Sequence, residues 1–221
     1  MKRILLLLLA ASITLSFSAC SSLQKNASVP AKQDFTVTDN PVAKSGSKVL
    51  VVYFSSANST QADSKSYATP YFDGVASTEY LANAIAGKTG ADIAKLTPVN
   101  DYPSGYASVV SHAKKEADSN ARPEFVALEV NPEDYDIIFI GYPVWWYTMP
   151  MVIYTFFDLY SFSGKTVIPF NTHEGSHDGG TYLTIQQLEP EAAVKNGFNV
   201  NGRETDKALN ELDLWLNGLD I

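Results

Sequence analysis

The sequence predicts an α/β domain built on a parallel sheet with helices on both faces. Three observations point there. Several short runs, "KVLVVYF", "YDIIFIGYP" and "KTVIPF", are almost unbroken apolar stretches of the kind buried on both faces of a parallel sheet. Between them lie stretches with helical periodicity, and strand–helix alternation implies parallel pairing. The two least ordinary segments, "GYPVWWYTMP" and "NTHEGSHDGG", each follow one of these runs. In open parallel sheets ligands bind beyond the carboxyl ends of the strands.

The chain opens on Met1-Lys2-Arg3, then "ILLLLLAASITLSF", an apolar run too short for a typical spanning helix, then "SAC" with the only cysteine, Cys20. That is the layout of an exported segment. With the cysteine at that place, residues 1–19 resemble a bacterial lipoprotein signal, which implies cleavage before Cys20 and lipid on its thiol and amino group. Phe17 stands where that motif more often has Leu. The resemblance places the chain in the cell envelope, held to a bacterial membrane through the lipid alone. Ser21 lacks the acidic character that retains some lipoproteins at the inner membrane, which favours the outer one. With a single cysteine, no intrachain disulfide can form.

Residues 20–46 are polar, rich in Ser, Ala and Lys, and without apolar periodicity, so they read as a tether. Residues 47–221 suffice for one domain with a full core, and no internal repeat is visible. Loss of Lys2 and Arg3 takes the net charge from −8 to −10. An acidic body excludes nucleic acid as a partner and disfavours adhesion to anionic lipid.

In chain order, "KVLVVYF" (48–54) is the first strand. "STEYLANAIAGKTG" is a helix with Tyr80, Leu81, Ala84 and Ile85 on one face and Gly90 at its C-terminal cap. "ADIAKLTP" is the second strand. "SGYASVVSHAKKEADSN" is a helix turning Tyr106, Val109, Val110 and Ala113 one way. "YDIIFIGYP" is the third strand, and "MVIYTFFDLY" a helix entered after Pro150. "KTVIPF" is the fourth strand, "TYLTIQQLEP" a short helix and "AVKNGFNV" a weak fifth strand. The last helix, "ETDKALNELDLWLNGL", aligns Leu209, Leu212, Trp215, Leu216 and Leu219.

Three loops then fall at strand ends. The first offers Ser55, Ser56, Asn58, Ser59 and Thr60, then Ser77 and Thr78 where the helix begins. Hydroxyls with free N–H groups at a helix N-terminus hold a phosphate without basic residues, although a Ser or Thr there also serves as a plain helix cap. The second places Pro143, Val144, Trp145, Trp146 and Tyr147 together, with two of the three tryptophans side by side and prolines at both ends. Exposed aromatic surface on a stiffened loop serves a ligand or partner, while one of the two Trp side chains is expected to cover the end of the core. The third contains His173, Glu174 and His177, an H-E-x-x-H match. Zinc binding through that motif needs a regular helix, whereas Gly175 lies inside it and Asp178-Gly179-Gly180 follows, so turn chemistry wins over a metal site.

"VLVVYFSS", "YDIIFIGYPVWWYTMP" and "SGKTVIPFNTHEGSHDGG" together resemble the flavodoxin-like family of small FMN proteins, in the branch with Y-P-x-W-W and T-H-x-G-S loops. The resemblance spans about residues 47–221. It implies a three-layer sandwich with a five-stranded parallel sheet in the order 2-1-3-4-5, non-covalent FMN, and electron transfer to a redox partner protein. The alternatives are a nicotinamide-dependent reductase of small quinone or nitro compounds, and a non-redox ligand-binding lipoprotein on the same fold. It further implies that Trp146 or Tyr147 stacks on the flavin ring, and that Thr172, His173, Glu174 and Gly175 present backbone groups to its polar edge. The first loop departs from the family's compact S/T-x-T-G-N-T, because residues 61–76 read as an insertion. Two phosphate arrangements remain: Ser55 with Ser77 and Thr78, or Asn58 with Ser59 and Thr60.

Overall fold

A computed structural model describes residues 46–56 and 75–221. The export segment, Cys20, nearly all of the tether, Asn58, Ser59, Thr60 and most of the 61–76 insertion lie outside the described residues.

The elements follow the expected order: β1 (Val49–Phe54), α1 (Ser77–Thr89), β2 (Asp92–Leu96), α2 (Tyr106–Asp118), β3 (Ile137–Pro143), α3 (Met151–Leu159), β4 (Thr166–His173), α4 (Thr181–Leu188), β5 (Ala193–Val194), β6 (Phe198–Asn201) and α5 (Leu209–Asn217). The sheet is parallel throughout and runs β2-β1-β3-β4-β5, with β6 also on β4. The order in which strands are added reverses between β1 and β3, which places the binding crevice over their carboxyl ends.

Period-two alternation divides the core into two layers. Leu50, Val52 and Phe54 of β1 join Ile138, Ile140 and Tyr142 of β3 under α2, α3 and α4. Val49, Val51 and Tyr53 join Ile137, Phe139, Ile168 and Phe170 under α1 and α5. Gly141 is required by a close approach, since a Cβ there would lie 2.1 Å from the Phe170 ring. Gly90 ends α1 with φ 70°, its N–H bonded to Ala86 C=O, as the cap chemistry predicts.

Three expectations are corrected. The single weak fifth strand is two strands, β5 and β6. Val167 pairs with Val194 and Phe170 with Phe198, so three residues (195–197) face two on β4. This is a β-bulge, and it sits opposite Pro169, which has no N–H to offer a ladder. Next, β4 does not stop at Phe170. Asn171, Thr172 and His173 are polar enough to read as loop, yet β6 pairs with all three and β3 with Asn171 and Thr172, which holds them extended. Tyr106, aligned by sequence with the core face of α2, is 51% exposed.

Candidate functional site

The carboxyl ends of β1, β3 and β4 carry the three loops singled out by sequence. Ser55 ends β1 buried, and Ser56 is half-buried. The N-cap of α1 is Ala76 and has no side-chain cap bond, so Ser77 and Thr78 lie inside the helix rather than capping it. Ser77 is fully buried, and its hydroxyl has no hydrogen-bond partner among the described residues. The Thr78 hydroxyl lies 2.8 Å from that of Thr172 and ties α1 to the end of β4. An uncapped first turn leaves N–H groups aimed outward with the positive end of the helix dipole. A buried orphan hydroxyl beside them is a cost unless a ligand bonds it. These residues fit a phosphate group.

The aromatic loop separates its two tryptophans. Trp145 and Thr148 exchange backbone hydrogen bonds of 2.9 and 3.0 Å, closing a tight turn with Trp146 and Tyr147 at its tip. Both tip residues have left-handed backbone, φ 52° and 58°. Such conformations are costly for large side chains and persist where the surroundings impose them. Trp145 points inward and meets the rings of Phe54 and Tyr102 edge-on, at 5.5 and 5.2 Å. It is the one that covers the core. Trp146 and Tyr147 remain 48% and 74% exposed. The Trp146 indole N–H donates to Val110 C=O on α2 at 3.0 Å, and the Lys114 ammonium stands 5.8 Å from its ring. Pro143 ends β3, paired with Thr172, and the Val144 N–H donates to Thr172 C=O.

The third loop starts at Glu174. Thr172 and His173 therefore sit on the strand, and their carbonyls already accept from Val144 and Gly202. Each of those carbonyls thus keeps one lone pair beyond the bond that closes the strand end. Glu174 pairs with Arg203 at 2.6 Å on the surface. At Gly179, a Cβ would come within 3.1 Å of the Val144 side chain, so glycine lets this loop pack directly on the aromatic turn. Between them opens a cavity of about 470 Å³, bounded by Tyr106, Val109, Val110 and Ala113 of α2, by Val144–Tyr147, and by Glu174–Ser176. The α2 wall was missed in the sequence because its residues share a helical face that reads as core.

The H-E-x-x-H match does not form a helix. His173 ends β4, and His177 sits in a turn with φ 52°. Among the described residues no group of three or more His, Cys, Asp and Glu is placed to hold a metal ion. His173 Nδ1 accepts the Gly175 N–H at 2.8 Å, which leaves its proton on Nε2. Burial pushes the imidazole below its ordinary value of 6.5, with His177 adding to the shift and Asn199, Glu174 and Asp178 opposing it. The unfolded chain therefore binds more protons on acidification. The stability tied to His173 is complete above pH 6.5 and is lost as pH falls through the lowered folded value. Urea unfolding at pH 7.5 and 5.5 is expected to show a smaller acid loss in His173→Gln than in the wild type. Equal losses in both would refute the assignment.

The family model for flavodoxin matches residues 66–219, beginning between β1 and α1. No curated protein matches the chain. Among solved structures, a candidate flavoprotein of Bacteroides uniformis is 28% identical with a TM-score of 0.58, covering 76% of this chain and 99% of that one. One of Bacteroides eggerthii is 27% identical with a TM-score of 0.54, covering 76% and 98%. A flavoprotein of Lactobacillus acidophilus, solved in complex with FMN, shares the fold at 19% identity and a TM-score of 0.53, covering 73% and 97%. With the strand order, the switch-point loops and this match agreeing, the chain belongs to the flavodoxin family.

Proposed function

We propose that this chain is an FMN-dependent redox protein of the cell envelope, anchored through lipid on Cys20 and passing electrons to a partner protein. The observation that carries the cofactor is the start of α1, which has no side-chain cap and where the buried Ser77 hydroxyl lacks a partner among the described residues. Family membership supports the same cofactor.

Bound FMN supplies the one- and two-electron chemistry, and the protein tunes it through stacking, hydrogen bonds and charge. Ser77, Thr78 and the first-turn N–H groups of α1 take the phosphate, together with Ser55 and Ser56. Trp146 and Tyr147 give an aromatic surface for the ring, and Glu174 and Gly175 line the facing wall. Backbone strain at Trp146 and Tyr147 sets that surface before the ligand arrives, which limits the ordering cost of binding. His173 is buried, accepts the Gly175 N–H on Nδ1 and bonds to Asn199, so it steadies the start of the loop. The acidic body disfavours an extra negative charge near the ring, which favours low potentials.

The test is a visible absorption spectrum of the purified chain before and after addition of FMN and desalting. Flavin bands that survive desalting support the reading. A protein that stays colourless sinks it and favours a ligand-binding role without redox chemistry. The anchor is tested separately: a Cys20→Ser chain that still partitions with membranes removes the lipid from the proposal.

A further inference from the structure

We propose that Asn171 is a positioning residue that fixes the Glu174–Ser176 wall against bound FMN, acting through a buried hydrogen-bonded brace; this rests on the flavin reading above. Asn171 lies on β4 between Tyr142 and Asn199 and is fully buried. A buried amide is costly unless both its ends are satisfied. Its Nδ2 donates to His177 C=O at 3.0 Å, and its Oδ1 accepts from the Tyr182 hydroxyl at 2.7 Å. One side chain thus joins the sheet, the loop and the first turn of α4.

A second arm runs beside it. The fully buried Tyr142 hydroxyl donates to Thr181 Oγ1 at 2.8 Å, and that hydroxyl donates to Asp178 C=O at 2.6 Å. Both arms end on consecutive carbonyls of the loop, 177 and 178. Burial pushes both phenols well above their ordinary value, so they remain donors throughout the neutral range.

The loop depends on glycine for its path. Gly175 has φ 111° with open space around it, and Gly179 follows. Its cavity-facing residues, 174–176, lie between His173, whose ring accepts the Gly175 N–H, and His177, whose carbonyl accepts from Asn171. Because Gly179 packs on Val144 and Tyr147, a shift of the loop also moves the aromatic turn. The amide therefore sets the spacing of both walls from inside the core.

The experiment compares the full chain with Asn171→Leu and Tyr182→Phe, measuring FMN affinity by fluorescence titration and the midpoint potential of the bound flavin. Asn171→Leu removes both bonds of the buried amide, freeing the His177 carbonyl and loosening the half-buried Tyr182 hydroxyl, and is expected to weaken FMN roughly tenfold or more and to shift the potential. Tyr182→Phe, which removes one oxygen and no packing volume, is expected to shift both in the same direction by less. It also serves as the readout where Asn171→Leu does not fold. A variant that folds and keeps wild-type affinity and potential overturns the brace. A wild-type chain that retains no FMN overturns the cofactor reading beneath it instead.

Discussion

Ser77→Asp is expected to abolish FMN retention in a chain that still folds. Ser77 is fully buried, so the carboxylate costs stability there, partly offset by the helix dipole in the first turn of α1. The same carboxylate fills the place that a phosphate needs. With an effective dielectric constant of about 20, two unit charges about 5 Å apart repel by about 3 kcal/mol, a loss of more than about a hundredfold in affinity for each phosphate charge. Ser77→Ala removes only a charge-assisted hydrogen bond of about 1.5–3 kcal/mol, so it is expected to weaken binding by roughly ten- to a hundredfold. Fluorescence titration of the two variants, with circular dichroism to check folding, reads the difference. If Ser77→Asp binds FMN like the wild type, the phosphate is held elsewhere, and the Asn58-Ser59-Thr60 arrangement takes its place.

Phe156→Ala is expected to lower stability by about 3–5 kcal/mol without touching the site. Its ring is fully buried and meets those of Phe157, Tyr160 and Phe162 at 5.7, 5.2 and 5.4 Å, with Phe125 at 6.5 Å. Neighbours that are themselves rigid rings collapse poorly into the space left behind, which puts the loss toward the upper end. For a domain of this size that is a fall in Tm of roughly 10 °C, measurable by calorimetry. A fall of only a degree or two would mean that the cluster is loosely packed. FMN affinity measured well below the new Tm should stay close to wild type, because α3 carries none of the cavity-lining residues.

The sheet was legible because its central strands are buried on both faces, and "VLVVYF" and "IIFIGYP" can hardly be anything else. The helices were legible for the complementary reason, their mixed faces repeating at the helical period. What sequence could not show was decided by pairing and by turns. Asn171, Thr172 and His173 look like loop residues until neighbouring strands claim their backbone. The bulge at residues 195–197 depends on which β4 residue each neighbour meets, and composition does not encode register. Trp145 and Trp146 are indistinguishable as adjacent letters. A turn with left-handed backbone at its tip sends one inward and leaves the other out. Tyr106 failed for a related reason: the helical face was read correctly, but one end of it overhangs the sheet and borders a cavity instead of the core. Asn171 had no signal at all, since its role depends on partners six and eleven residues away.

The interrupted edge at β5 and β6 bears on how copies of this protein tolerate crowding. With the lipid anchor proposed above, copies of this chain would meet side by side far more often than the same number free in solution. An open parallel sheet invites such neighbours, because a straight border strand offers its unused N–H and C=O groups as a template for another chain. Here the border is broken after two residues, the extra residue turns the Asn196 carbonyl toward the Trp215 indole at 3.2 Å, and regular pairing resumes for only four more. Neither fragment is long enough to zip against a second copy. On this side of the sheet, the bulge that spoils the strand pattern also shortens the border with which a second copy could pair, while β2 forms the other border.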